Sequence, residues 1–220
     1  MNWRHGMVAV LAAVTLTGCA HQVAGTATWP GARLDRALLT AADFPQGVQY
    51  DRVVRDPGRG DGAGPPPAML SRPAGCSEGL TRVIAESAER GPGSAAEYVV
   101  GYDGARIVMT VLTWHLDLDK LAATAQRCAR FQTFFDPFSP GIPMTTTKMD
   151  TTRADALVYE QTMRLSGIDS RVYFSFENVG NMGVYGVAFP VPNPTIPVKA
   201  ALPQTFLDIA ARQAERVPTG

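Results

Sequence analysis

The feature that most restricts how this chain can fold is an alternating run in its second half. In ALVYEQTMRL, Leu157, Tyr159, Met163 and Leu165 alternate with Glu160, Thr162 and Arg164. A period of two sends neighbouring side chains to opposite faces of a strand, the pattern of an antiparallel sheet with one buried and one wet face. RVYFSFE and MGVYGVAF follow, joined through the turn-rich Asn178-Val179-Gly180-Asn181. Upstream, EYVVGY and ARIVMTVLTWH are separated by Asp103-Gly104, a pair that suits a two-residue hairpin. Strands that recur without intervening helices predict a meander.

Helical periods flank these strands. Cys76, Leu80, Val83, Ile84 and Ser87 share one face at 3.6-residue spacing, with ERGPG as the stop. A second helix is expected from about Leu118 to Phe135, capped by Asp117 or Asp119 and burying Leu118, Leu121, Ala125, Cys128 and Phe135. The segment LDRALLTAADFPQGVQY offers one or two helical turns, stopped before Pro45, and then a first strand. After PVPNPTIP, a last helix turns Leu202, Phe206 and Ile209 inward. Residues 55–68 (RDPGRGDGAGPPPA) are rich in glycine, proline and charge and predict a mobile loop. Strands grouped together with helices before and after imply the α+β class, an antiparallel meander with helices packed on one face.

The three cysteines carry separate expectations. Arg4 and the amino terminus precede an uncharged apolar stretch from Met7 to Leu16, too short to cross a bilayer core of roughly 30 Å. This is the layout of a secretory signal peptide over residues 1–18. Its ending, Leu16-Thr17-Gly18-Cys19, resembles the bacterial lipoprotein box, which implies that Cys19 is acylated on sulfur and becomes the first mature residue. Each buried acyl methylene contributes about 0.8 kcal/mol, so two or three chains anchor stably. Residues 19–33 then form a tether, and 34–216 a single globular domain on the extracytoplasmic face of the cell membrane. The membrane contact would be made through N-terminal diacylglycerol and acyl groups. In that oxidising compartment Cys76 and Cys128 read as one disulfide between two helices, worth about 3–4 kcal/mol on the chain-entropy account. Two separate buried thiols or a partial metal site are the alternatives.

Charge and composition exclude several functions. The 20 basic side chains balance 20 acidic ones, which is not the electrostatic footprint of a nucleic-acid binder. No metal or other cofactor is expected, since His5 falls in the signal, His21 in the tether, and His115 stands alone beside Trp114. The sharpest catalytic motif is GCSEG, Gly75 to Gly79, which puts Ser77 at the nucleophile position of the G-x-S-x-G elbow carried by cutinase-like esterases. That elbow needs a buried strand directly before it, and here PPPAMLSRPA precedes it. The one histidine after Ser77 is His115, which the pattern places on a strand. The chain is therefore read as non-catalytic, with Ser77 at a helix start; a secreted serine esterase using Ser77 is the alternative. Tyr173, Phe174, Phe176, Tyr185 and Phe189 most simply form sheet core. If one sheet face lacks a full helical cover, Tyr173, Phe174 and Tyr185 are the candidate lining of a ligand groove.

The lipobox, the LLTAADFP stretch, the proline-rich loop before a cysteine at a helix start, the second cysteine in the next helix and the meander ending in a helix belong together. Together they resemble the small mycobacterial and actinobacterial lipoproteins of unknown function. Over residues 34–216 the chain is similar to the extracytoplasmic sensor domain of mycobacterial Ser/Thr protein kinases, although that domain has two disulfides and this chain has cysteines for one. The resemblance implies an antiparallel sheet with helices and a cleft that takes a ligand, and it brings no catalytic residue. The expected function is that of a lipid-anchored lipoprotein binding a small or apolar ligand or a protein partner of the cell envelope.

Overall fold

A computed structural model of the chain describes residues 30–53, 69–82, 90 and 93–218. In chain order its elements are α1 (Pro30–Ala37), a 3-10 turn (Ala41–Asp43), β1 (Gln49–Val53), β2 (Leu70–Arg72), β3 (Ala95–Tyr102), β4 (Ala105–Leu112) and α2 (Leu118–Arg127). There follow β5 (Arg130–Phe134), β6 (Ile142–Lys148), β7 (Leu157–Leu165), β8 (Ile168–Val179), β9 (Met182–Phe189) and α3 (Gln204–Arg216). The nine described strands join one antiparallel sheet in the order β1-β3-β4-β9-β8-β7-β6-β5-β2.

Turn chemistry and register explain this order. Asp103-Gly104 closes the β3–β4 hairpin as expected, with Gly104 at φ +99°. Ser166 and Gly167 both take positive φ and close β7 onto β8, Leu165 opposite Ile168, the twist that tight hairpins require. The meander from β5 to β9 then returns to the first hairpin by pairing β9 with β4, Val108 opposite Val187 and Thr110 opposite Tyr185.

The helices do not share one face. Leu34 and Ala37 of α1 and Phe206, Ile209 and Ala214 of α3 pack with Ile107, Met109, Val111 and Val184. Leu121 and Ala125 of α2 pack with Tyr159, Phe174, Phe176, Tyr185 and Val187. Val184 and Tyr185 are neighbours in sequence and therefore point to opposite faces, which places α2 across the sheet from α1 and α3. The expectation of a single helical layer fails because β9 is apolar in both parities and buried from Met182 to Ala188. A strand buried on both sides needs cover on both. Its glycines mark the two contacts: a Cβ at Gly186 would sit 2.9 Å from the Phe206 ring, and one at Gly183 3.0 Å from Leu116.

Other expectations are corrected locally. Asp117 caps α2 by accepting the Lys120 N–H at 2.9 Å, but the helix stops at Arg127 rather than Phe135. Beyond Cys128 the inward residues are Phe131 and Thr133, with Arg130 and Gln132 exposed, a period of two that makes β5. Phe135, expected in the buried stripe, is exposed. After Cys76 the chain turns through residues 77–81 and reaches helical backbone at Arg82; the rest of that predicted helix, the 55–68 loop and Cys19 lie outside the described residues. Cys76 and Cys128 form a disulfide with Cα atoms 5.5 Å apart. It is a helix-to-strand staple and not a helix-to-helix one, because Cys128 caps the C-terminus of α2 while Cys76 lies just beyond β2.

A buried amide ties the two helices of the first face together. Gln213 is fully buried, donates to the Ala37 carbonyl at 2.7 Å and accepts the Leu39 N–H at 3.1 Å, so it satisfies backbone groups left over at the end of α1. Leucine at this position would leave both unpaired. Gln213→Leu should therefore lower unfolding free energy by about 2–4 kcal/mol, measured as a shift in the denaturant midpoint at unchanged slope.

The tyrosines predict an alkaline limit. Burial pushes all six hydroxyls above their ordinary range, Tyr98 and Tyr185 furthest, and those two have no hydrogen-bond partner. An unfolded tyrosine loses its proton near pH 10 while the folded one keeps it, so the native state binds more protons above that pH and stability falls as pH rises. Denaturant stability should decline above about pH 10 and decline less steeply in the Tyr98→Phe, Tyr185→Phe double variant. Free native titration of all six tyrosines near that pH in ultraviolet absorbance would contradict this.

Candidate functional site

Among the described residues, the ten of α2 cover only part of their sheet face. Outside that cover Val99, Val108 and Val172 remain half-buried, and Phe189 and Val191 are exposed. All of these but Val99 border an open depression of about 540 Å³ whose walls include Arg106, Val108, Ser170, Val172, Phe189 and Val191. Its size lies within the roughly 300–1,000 Å³ of small-molecule sites. A second depression of about 240 Å³ adjoins it, sharing Arg106 and Val191 and adding Gln49, Asp51, Val99 and Asn193.

Register assembles the floor. Asp51 of β1 lies opposite Val99, Val99 opposite Val108, and Val108 opposite Val187, and Val187 belongs to the cluster packed under α2. The chain after β9 builds a wall, held to the β3–β4 turn by two bonds between Val191 and Gly104 at 3.2 and 3.3 Å. The Asn193 N–H also donates to the Asp103 carboxylate at 3.1 Å.

The polar groups around the floor differ in their commitments. On the opposite face of the sheet Arg164 forks onto Asp169 at 2.7 and 2.9 Å, and that bond holds the Asp169 carboxyl below its usual range. The Arg171 guanidinium lies 3.7 Å from Glu160. Arg106 is exposed and makes no hydrogen bond or ion pair with another described residue. A floor of valine and phenylalanine beside one uncommitted guanidinium suits an apolar molecule that carries a carboxylate or phosphate.

The predicted lining residues are not brought together at an opening. Tyr173 packs in the cluster beneath α1 and α3, while Phe174 and Tyr185 lie in the cluster beneath α2. All three are buried and none borders either depression. Phe176 stacks on Tyr185 with ring centroids 5.2 Å apart, so the aromatic run is core, and Phe189 is its member at the depression. Val108 and Val172 were missed because a valine in a strand carries no signal of its own. Arg106 in ARIVMTVL could have been noticed as a charge on an otherwise apolar strand.

Ser77 and His115 do not form a catalytic pair. The Ser77 hydroxyl donates to the Met69 carbonyl at 2.5 Å, and its N–H donates to the Ser71 hydroxyl. His115 lies in the loop after β4, not on a strand, and its Nε2 is 2.7 Å from the Gly180 carbonyl. Cys76, beside Ser77, is bonded to the C-terminal cap of α2, whereas His115 precedes the N-terminus. Ten residues of helix separate these ends by about 15 Å. The G-x-S-x-G elbow is thus not built. The buried Glu177 carboxylate is forked by Arg153 at 2.5–2.9 Å, a staple between β8 and the loop before β7. Among the described residues no group of three His, Cys, Asp or Glu is placed to hold a metal ion, and no helix is long and apolar enough to cross a membrane.

No protein-family model matches the chain, and a search of curated proteins finds no match. Among solved structures, it is similar to an uncharacterized protein from Mycobacterium smegmatis, the Rv0999 ortholog. The superposition has a TM-score of 0.45 at 16% identity and covers 86% of this chain and 95% of that one.

Proposed function

We propose that this chain is a lipid-anchored extracytoplasmic lipoprotein that binds, without catalysis, an apolar ligand bearing an anionic group. The observation that carries the reading is the open depression on the α2 side of the sheet, where Val108, Val172 and Phe189 lie beside the uncommitted Arg106. An exposed apolar floor of this kind stays wetted at a free-energy cost that a ligand removes, and a guanidinium at its border fixes the orientation of a charged end. The envelope setting rests on the signal-like segment and Cys19, and the sensor-domain resemblance agrees with a binding role.

Native mass spectrometry with organic extraction, on the mature chain purified from its host's membranes, tests the reading. A stoichiometric acidic lipid or metabolite is expected, together with acyl mass on Cys19. Val108→Trp, which fills the floor, should lower ligand occupancy at least about tenfold, and Arg106→Gln about five- to tenfold. A chain that carries no ligand, or a ligand retained equally in both variants, would overturn the proposal.

A further inference from the structure

Exposed apolar side chains are not scattered over this protein. The exposed large hydrophobics among the described residues are Leu70, Phe135, Phe138, Leu165, Ile168, Phe189 and Val191. Register places them at one end of the sheet. Leu70 lies opposite Phe134, Thr133 opposite Ile142, Met144 opposite Met163 and Leu165 opposite Ile168. The start of β2, the β5–β6 turn and the β7–β8 hairpin are therefore level with one another. Phe189 and Val191 stand a few residues behind, at the end of β9. At the other end, around the β8–β9 turn at Gly180 and Asn181, no large hydrophobic is exposed among the described residues.

The most protruding of these side chains sit on turns. Phe138 is 97% exposed, Ile168 73% and Phe135 71%. Phe138 is held out by a tight turn in which the Asp136 carboxylate accepts the N–H groups of Phe138 and Ser139 at 2.8 and 2.9 Å. From β9 to β2 the apolar end spans five strand spacings, about 24 Å, but is one sheet layer thick. A line of separate convex tips lacks the continuous patch of roughly 800 Å² per partner that a stable protein complex needs. Fluid hydrocarbon requires no complementary shape.

Charge points the same way. Arg72, Arg106 and Arg130 are exposed on the strands behind the tips, and none makes an ion pair with another described residue. Arg106 lies on the α2 face and the other two on the opposite face, as their registers require. A sheet standing on this end would set basic groups on both sides at headgroup depth, where anionic lipids attract them. We infer that this end of the sheet is a bilayer-docking edge, with Phe135, Phe138, Leu165 and Ile168 inserted at the interface and the three arginines on anionic headgroups. The depression bordered by Ser170 and Val191 opens near the same edge, which gives it access to membrane lipid. The edge acts independently of the Cys19 anchor.

The test uses the full mature chain as Cys19→Ser, so acylation plays no part. It is mixed with vesicles of phosphatidylcholine containing phosphatidylglycerol and with vesicles of phosphatidylcholine alone, and bound protein is measured by co-flotation. Binding is expected to the mixed vesicles, weaker binding to the neutral ones, and a loss of at least about tenfold in Phe135→Ser, Phe138→Ser. Both positions are exposed, so the fold is retained. In Phe138→Trp, brominated lipid should quench the added fluorescence. No binding by the Cys19→Ser chain, or binding unchanged in the serine variant, would overturn the inference. So would a concentration-dependent dimer lost on Phe138→Ser, which would assign the edge to a second copy.

Discussion

Pairing of β4 with β9 is the contact on which the rest of the structure depends. It joins the β3–β4 hairpin to the five-strand meander and converts two small sheets into one of nine described strands. Because β9 is apolar on both faces, this junction creates two cores at once, and each needs its own helices. Phe206 reaches the sheet over Gly186 and Leu116 over Gly183, so close backbone approach on both sides depends on two positions without a side chain. The ends of α1 and α3 are then locked by Gln213, whose amide completes hydrogen bonds the helical backbone cannot make for itself.

What the helices leave uncovered defines the candidate site. The face under α1 and α3 is closed by two helices around Ile107, Met109 and Val111. The face under α2 is closed over Tyr159, Phe174, Phe176 and Tyr185 but not over Val99, Val108 and Val172. The disulfide holds the C-terminal end of α2 to the chain leaving β2, which restrains the helix over its half of the face. The open region is thus a geometric remainder: among the described residues one short helix faces a wide sheet, and the proline-containing segment after β9 walls off the rest.

Much of the sheet was legible because strands with period two announce themselves. β3, β4, β7, β8, β9 and the Asp103-Gly104 turn follow from alternation and turn chemistry. β2, β5 and β6 did not, for different reasons. β2 is three residues at a sheet edge, too short to show a period. β5 follows α2 so closely that Cys128 and Phe131 continue an apparent helical stripe, and in β6 threonines blur the contrast between faces. Ser77 looked chemical because its motif is local. Tertiary structure spends its hydroxyl on the Met69 carbonyl instead.

The sequence by itself determined an antiparallel sheet of α+β class, the cysteine pair, an aspartate cap at Asp117 or Asp119 and the aromatic identity of the core, because each depends on neighbours in the chain or on residue type alone. Only the tertiary structure decided that the helices divide between two faces, that Tyr173 and Tyr185 lie in separate cores, and that Val108, Val172, Phe189 and Arg106 share one open floor. The physical reason is register. Which residues of three different strands stand side by side is set by long-range pairing, and the ten residues of α2 cover only some of them.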